Sequence, residues 1–86
     1  MKFNDIFFSK ENRYSLGTEL QSGKHYLSIP VSYGIVDYEE YYEIDSNLLQ
    51  QFQTQQETAL EFAQKCRRQE LDELLIVKPG SNRGIG

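Results

Sequence analysis

The chain has 86 residues, of which 38% are hydrophobic, 13% aromatic and 26% charged, with a formal net charge of −4. This length suits one small domain with a modest core, and five phenylalanines with six tyrosines exclude a disordered chain. The only cysteine, Cys66, has no partner within the chain, which excludes the class of secreted scaffolds held by internal disulfides.

The negative charge is concentrated in one segment, residues 37–45. This segment contains five of the thirteen acidic residues and no base, whereas the remaining eight acids are offset by nine bases. Nucleic-acid binding needs clustered lysine and arginine, so the sequence predicts no nucleic-acid partner. A basic protein is the favoured partner, because complementary charge speeds encounter and discourages wrong partners.

The sequence predicts a cytoplasmic protein that does not enter a membrane. Its first twelve residues contain no apolar stretch of signal-peptide length. The longest apolar run, residues 74–77, has four residues, far fewer than the roughly 20 that a membrane helix requires.

The first half of the chain predicts antiparallel strands. Phe3, Ile6 and Phe7 fit either a helical stripe or a buried strand, and in both cases we expect residues 6–8 to fill the core. Residues 13–20, 25–31 and 35–44 read as strands, separated by turns at residues 22–23 and at Gly34, where a positive φ is expected. Pro30 has no backbone N–H and cannot donate a hydrogen bond to a neighbouring strand, so it is expected at a sheet edge or a bulge.

The second half predicts two helices. Asp45 or Ser46 caps a short first helix, and residues 54–57 match a capping box that begins a second helix extending to about residue 70, or 73. This helix buries Ala59, Phe62, Ala63 and Cys66. Residues 74–77 are either its last turn or, preferably, a final strand. The prediction is therefore an α+β domain over residues 1–78, a small antiparallel sheet of three to four strands with two helices on one face, followed by a flexible C-terminal tail at residues 79–86.

The candidate site is the acidic strand between residues 35 and 44. Alternation predicts a core face of Val36, Tyr38, Tyr42 and Ile44, which Glu40 does not fit, and an outer face of Asp37, Glu39, Tyr41 and Glu43. Tyrosine is enriched at protein interfaces, and a ring among carboxylates suits an arginine or lysine of a partner. The outer face is therefore a predicted protein-binding surface. The alternative is a solvated face that keeps the strand from pairing with other chains.

The only cysteine and the only histidine give no prediction of a catalytic or metal site. Cys66 lies beside Lys65 and Arg67, which lower a thiol pKa, but its helical position indicates a buried structural cysteine. His25, the only histidine, is expected at a strand end or surface. The EF-hand spacing is absent, and the sequence predicts no cofactor, no metal site and no catalytic residue.

The segments at residues 26–32, 37–44 and 66–68 resemble those of small uncharacterised bacterial proteins of similar length. The resemblance implies a stand-alone bacterial protein and supplies no activity or site. The predicted function is protein binding or regulation without catalysis. An edge-strand homodimer of structural role is the alternative, and a carboxylate-based metal protein or enzyme is a third hypothesis.

Overall fold

Residues 3–44 form an antiparallel meander, and the helices follow. A computed structural model describes residues 1–78, apart from the side chains of Tyr33 and Val36. The strands, in spatial order β1-β2-β3-β4, are β1 Phe3–Ser9, β2 Tyr14–Glu19, β3 His25–Tyr33 and β4 Val36–Ile44. Helix α1 spans Ser46–Thr54, helix α2 spans Gln56–Arg67, and a 3-10 turn spans Asp72–Leu74. The predicted α+β fold class is confirmed.

The turns between strands depend on residues with positive φ. Gly23 (φ 77°) and Gly34 (φ 62°) occupy the second and third turns, as the sequence predicts. The first turn instead places Arg13 at φ 56°, where its N–H donates to the Ser9 carbonyl at 2.8 Å.

Strand β1 is one edge of the sheet, and its apolar residues do not all enter the core. A bulge between Asp5 and Phe7 interrupts the alternation, so Phe7 packs against the core while Ile6 and Phe8 remain 48% and 60% exposed. The expectation that residues 6–8 all fill the core is therefore wrong for Ile6 and Phe8. The bulge is the reason, since an extra residue changes which side chains face the helices.

Pro30 lies where β3 has a neighbour on one side only. The pairing of β2 with β3 ends at Ser15 and Ser28, whereas β3 continues beside β4 to Tyr33. Pro30 therefore sits at a local edge, as expected for a residue without a backbone N–H.

The core lies between the sheet and the two helices. Strands β2 to β4 contribute Tyr14, Leu16, Leu27, Ile29, Val31, Tyr42 and Ile44, and the helical part contributes Phe52, Ala59, Ala63, Cys66 and Leu75. The small side chains of Ala59 and Ala63 are fully buried and let α2 approach the sheet closely. Phe62, predicted on this buried face, is partly buried and packs against Phe52, with ring centroids 5.2 Å apart.

The helix beginnings confirm one predicted cap and overturn the other. Asp45 caps α1, because its Oδ1 accepts from the Leu48 N–H at 2.8 Å. The capping box at residues 54–57 is wrong: Thr54 still belongs to α1 and donates its hydroxyl to the Gln50 carbonyl at 3.1 Å. Gln55 takes the N-cap position of α2 and makes no side-chain cap bond.

Helix α2 ends at Arg67, earlier than predicted, because Gln69 adopts the left-handed φ of 61°. The Glu70 N–H then donates to the Lys65 carbonyl at 3.0 Å, as in a helix-terminating Schellman turn. The predicted final strand is also wrong in extent. The 3-10 turn takes in Leu74, which leaves one bridge between Leu75 and Tyr42. Residues 79–86, predicted as a flexible tail, lie outside the described residues.

Candidate functional site

The two helices cover one face of the sheet, and the predicted site lies on the other, the helix-free face. Asp37, Glu39 and Glu43 are exposed there and Tyr41 is half-buried, whereas Tyr42 and Ile44 are buried beneath the helices. The predicted alternation of β4 is therefore confirmed for the described side chains, which do not include that of Val36. Tyr38, on the core face, is partly buried against the core.

Glu40, which did not fit the predicted alternation, faces the core and is only 7% exposed. The Tyr42 hydroxyl donates to Glu40 Oε1 at 2.8 Å and lies 3.3 Å from the Cys66 carbonyl oxygen. A buried carboxylate needs such hydrogen bonds to offset its lost hydration. The structure thus assigns Glu40 to the packing of β4 against α2, away from the helix-free face.

An aromatic cluster on the helix-free face holds Tyr41 in place. Its ring stacks on Phe3 from β1, with centroids 3.6 Å apart and an interplanar angle of 9°. Tyr26 meets both rings edge-on, at centroid distances of 5.5 Å from Phe3 and 4.9 Å from Tyr41. Tyr26 is fully buried although neither α1 nor α2 covers this face.

Gly17 makes this cluster possible. A Cβ atom at residue 17 would lie 2.4 Å from the Tyr26 hydroxyl oxygen and 2.2 Å from the Asn4 carbonyl oxygen. The absence of a side chain lets the Tyr26 ring cross β2 and donate its hydroxyl to Asp5 Oδ1 at 2.6 Å. Sequence reasoning missed Phe3, Asp5 and Gly17, because only the pairing of β1 with β2 places them beside Tyr26.

The phenols of this cluster are neutral. Burial raises the pKa of Tyr26, and the hydrogen bond to Asp5 and its negative charge raise it further. Burial, with the nearby charges of Glu39 and Asp5, also raises the pKa of Tyr41. The two rings therefore keep uncharged hydroxyls, and the negative charge of the face comes from carboxylates alone.

The predicted acidic residues differ in their surroundings. Asp37 Oδ1 accepts from the Ser32 hydroxyl at 2.8 Å. Glu43 forms a long ion pair with Lys24, with Nζ 3.8 Å from Oε1 and both side chains about half exposed. Surface pairs of this kind contribute little to stability, so Glu43 remains open to another cation.

Glu39 lines a groove of about 340 Å³ that also includes Phe8, Lys10, Arg13 and Pro30. Partial burial raises the pKa of its carboxyl, while a hydrogen bond from Ser28 acts in the opposite direction. At this groove the acidic strand lies beside two cationic side chains, Lys10 and Arg13. Sequence reasoning did not foresee this because both residues lie at the first turn, far from Glu39 along the chain.

The remaining candidates are placed as follows. Cys66 is buried, and burial raises the pKa of its thiol to about 12, so the predicted structural role fits. His25 begins β3, with Nδ1 2.9 Å from the Thr18 hydroxyl oxygen. Within residues 1–78, no group of three or more His, Cys, Asp or Glu side chains could hold a metal ion.

The helices of the described region are both too short and too polar to cross a lipid bilayer. No family model, curated protein or solved structure matches this chain. The bacterial source implied by the sequence resemblance stays a prediction.

Proposed function

We propose that this chain is a protein-binding or regulatory protein, without catalysis of its own, whose helix-free sheet face contacts a basic protein. The contact surface consists of Asp37, Glu39, Tyr41 and Glu43 on β4, joined by Asp5 on β1. The observation that carries the proposal is the exposure of four carboxylates on the same sheet face as one half-buried, stacked tyrosine, a face that neither α1 nor α2 covers.

The aromatic cluster gives this surface a fixed shape. Tyr41 is held between Phe3 and Tyr26, so little side-chain freedom is lost when a partner binds. Its remaining exposed area, next to Glu39 and Glu43, suits an arginine or lysine through charge and cation–π attraction. The surface is therefore organised before binding.

The experiment is a capture comparison between two charge-matched variants. One bait carries Asp37→Asn, Glu39→Gln and Glu43→Gln on the proposed surface. The other carries Glu57→Gln, Glu61→Gln and Glu70→Gln, three exposed acids on α2 or just after it. Both variants lose three negative charges, so they differ only in where the charge is lost.

We expect the native protein and the control variant to retain a basic partner that the β4 variant loses, with retention falling as salt is raised. Equal retention by both variants would refute the acidic surface. A captured partner that is itself acidic would refute the predicted charge complementarity.

A homodimer through β1 is the second candidate function. It is favoured by the position of β1 at the edge of the sheet and by the exposed apolar side chains on this strand. Strand β1 is the outer strand on its side, and it presents the exposed apolar side chains Ile6 and Phe8. Light scattering at high micromolar concentration should then give twice the monomer mass, and Ile6→Lys should restore the monomer. A native monomer under these conditions would rule this candidate out.

A further inference from the structure

We infer that a second groove, at the corner where β4 leads into α1, binds a basic segment that presents a leucine-like side chain. We name it the corner groove; it is lined by Glu43, Ile44, Asp45, Leu48, Glu73 and Leu74. This inference rests on the proposed function and specifies the chemistry of the partner.

The corner groove has an aliphatic floor. Its volume is about 340 Å³, at the lower end of the range for small-molecule sites. Leu48 and Leu74 are half-buried and pack against the core, so their positions are fixed while part of each side chain faces the groove. A polar side chain in the groove would leave this aliphatic surface exposed to water, whereas a leucine-like side chain would bury it.

The rim of the corner groove is wholly acidic. Glu43 lies on β4, Asp45 at the N-cap of α1 and Glu73 in the 3-10 turn, and all three are exposed. Among residues 1–78, neither lysine nor arginine lines the groove, although Lys24 approaches Glu43 at 3.8 Å. Asp45 is held in place by its cap bond to the Leu48 N–H. Three carboxylates around an aliphatic floor complement a segment with lysine or arginine on both sides of an apolar residue.

The groove at Glu39 also has a volume of about 340 Å³, but its rim is not acidic throughout. Lys10 and Arg13 there partly offset the charge of Glu39, so this groove is less acidic than the corner groove. Glu43, by contrast, belongs both to the proposed contact surface and to the corner groove. One basic segment can therefore continue from the corner groove onto the helix-free face.

The test uses two synthetic peptides, KKLLKK and KKSSKK, added to the ¹⁵N-labelled full chain and followed through its amide resonances. Both peptides carry the same charge, so only the leucines distinguish them. We expect KKLLKK to shift the amides of Leu48, Glu73 and Leu74 with an affinity about tenfold above that of KKSSKK, since burying two leucine side chains is favourable.

Charge variants then locate the contact. Glu73→Lys should weaken KKLLKK binding about threefold to fivefold, as expected for a partly solvated charge contact. Glu61→Lys makes the same charge change on an exposed part of α2 and should leave the affinity unchanged within about twofold. Equal effects of the two variants would overturn the corner groove as the binding site.

The remaining outcomes separate this inference from the proposed function. If both peptides shift Asp37, Glu39 and Tyr41 equally and leave the corner groove unmoved, the inference fails while the proposed function stands. If neither peptide moves either region, both fail. If the amides of Leu48, Glu73 and Leu74 shift with protein concentration when no peptide is present, a second copy of this chain occupies the groove, which would also overturn the inference.

Discussion

Tyr14 and Tyr42 are both buried, but their hydroxyls have different surroundings. The Tyr42 hydroxyl donates to Glu40, whereas the Tyr14 hydroxyl has no hydrogen-bond partner among the described residues. Burial raises the pKa of Tyr14, so its hydroxyl stays protonated. A buried hydroxyl without a partner destabilises the fold, while one that satisfies a carboxylate stabilises it.

The first prediction compares Tyr14→Phe with Tyr42→Phe. Tyr14→Phe should leave the free energy of unfolding unchanged or raise it by about 1 kcal/mol, because it removes an unsatisfied group. Tyr42→Phe should lower it by about 1–3 kcal/mol, because Glu40 loses a donor. Urea unfolding at pH 7 measures both. A loss of 1 kcal/mol or more for Tyr14→Phe would show that its hydroxyl has a partner.

Glu19 gives the fold a specific pH dependence. Its side chain is 1% exposed, and its carboxylate accepts from the N–H groups of Lys2, Gln21 and Ser22 at 2.7, 3.0 and 2.8 Å. These hydrogen bonds lower its pKa from 4.5 to about 2. The charged form is therefore favoured in the folded state, and the carboxylate organises the turn between β2 and β3.

The second prediction concerns Glu19→Gln. Because the folded pKa is lowered, the contribution of Glu19 is complete above pH 4.5 and declines as the pH falls towards 2. The variant should have a lower Tm than the native protein at pH 7, and the difference should shrink steadily below pH 4.5. Exposed Glu61→Gln is the control and should show no such pattern. A Tm difference independent of pH would contradict the assignment.

At the scale of the elements, the end of α2 depends on an unusual glutamine. Gln69 adopts φ 61°, a conformation in which side chains other than glycine are strained. Gln69→Gly should raise the free energy of unfolding by about 0.5 kcal/mol, the balance between relieved strain and the greater freedom of glycine when unfolded. Gln64→Gly, within the same helix, should lower it by about 1 kcal/mol. Chemical denaturation measures both, and two losses of equal size would show that Gln69 is not strained.

The packing of β1 to β3 on the helix-free face depends on Gly17. Gly17→Ala would place a methyl group against the Asn4 carbonyl and the Tyr26 hydroxyl, so β1 or the Tyr26 ring must move. We expect a loss of about 2–3 kcal/mol, typical of overpacking, and a changed near-UV circular dichroism signal from the cluster of Tyr26 and Tyr41. An unchanged spectrum with full stability would show that this contact is not tight.

Much of the architecture follows from sequence patterns because those patterns are local. The turns at Gly23 and Gly34, the two-residue period of β4 and the Asp45 cap each depend on adjacent residues. The errors arise where the deciding contact is distant. The bulge in β1 is fixed by its pairing with β2, and the single bridge at Leu75 by the path of the chain beside Tyr42.

In the candidate site, too, local patterns predict some features and distant contacts decide the others. Alternation within β4 assigns Asp37, Glu39, Tyr41 and Glu43 to one face without any knowledge of the fold. The stacking of Tyr41 on Phe3 joins the two outer strands of the sheet, across Tyr26, and no spacing in the sequence indicates it. The corner groove likewise brings Glu43 beside Glu73, which lie thirty positions apart in the chain.

At the scale of the whole molecule, the two faces of the sheet differ in what covers them and in which side chains they present. The covered face holds the core and the buried pair of Glu40 and Tyr42, which stabilise the fold. The helix-free face holds a fixed aromatic cluster bordered by exposed carboxylates. Changes to the exposed acids should therefore alter binding without unfolding the protein, because exposed charges contribute little to stability.

The most direct measurement of the central claim is an amide-resonance map of the ¹⁵N-labelled protein with the basic partner that it captures. The account predicts that the largest shifts fall on Asp5, Asp37, Glu39 and Tyr41, while the exposed residues Glu57 and Glu61 of α2 stay in place. Shifts confined to α2, with β1 and β4 unmoved, would contradict it.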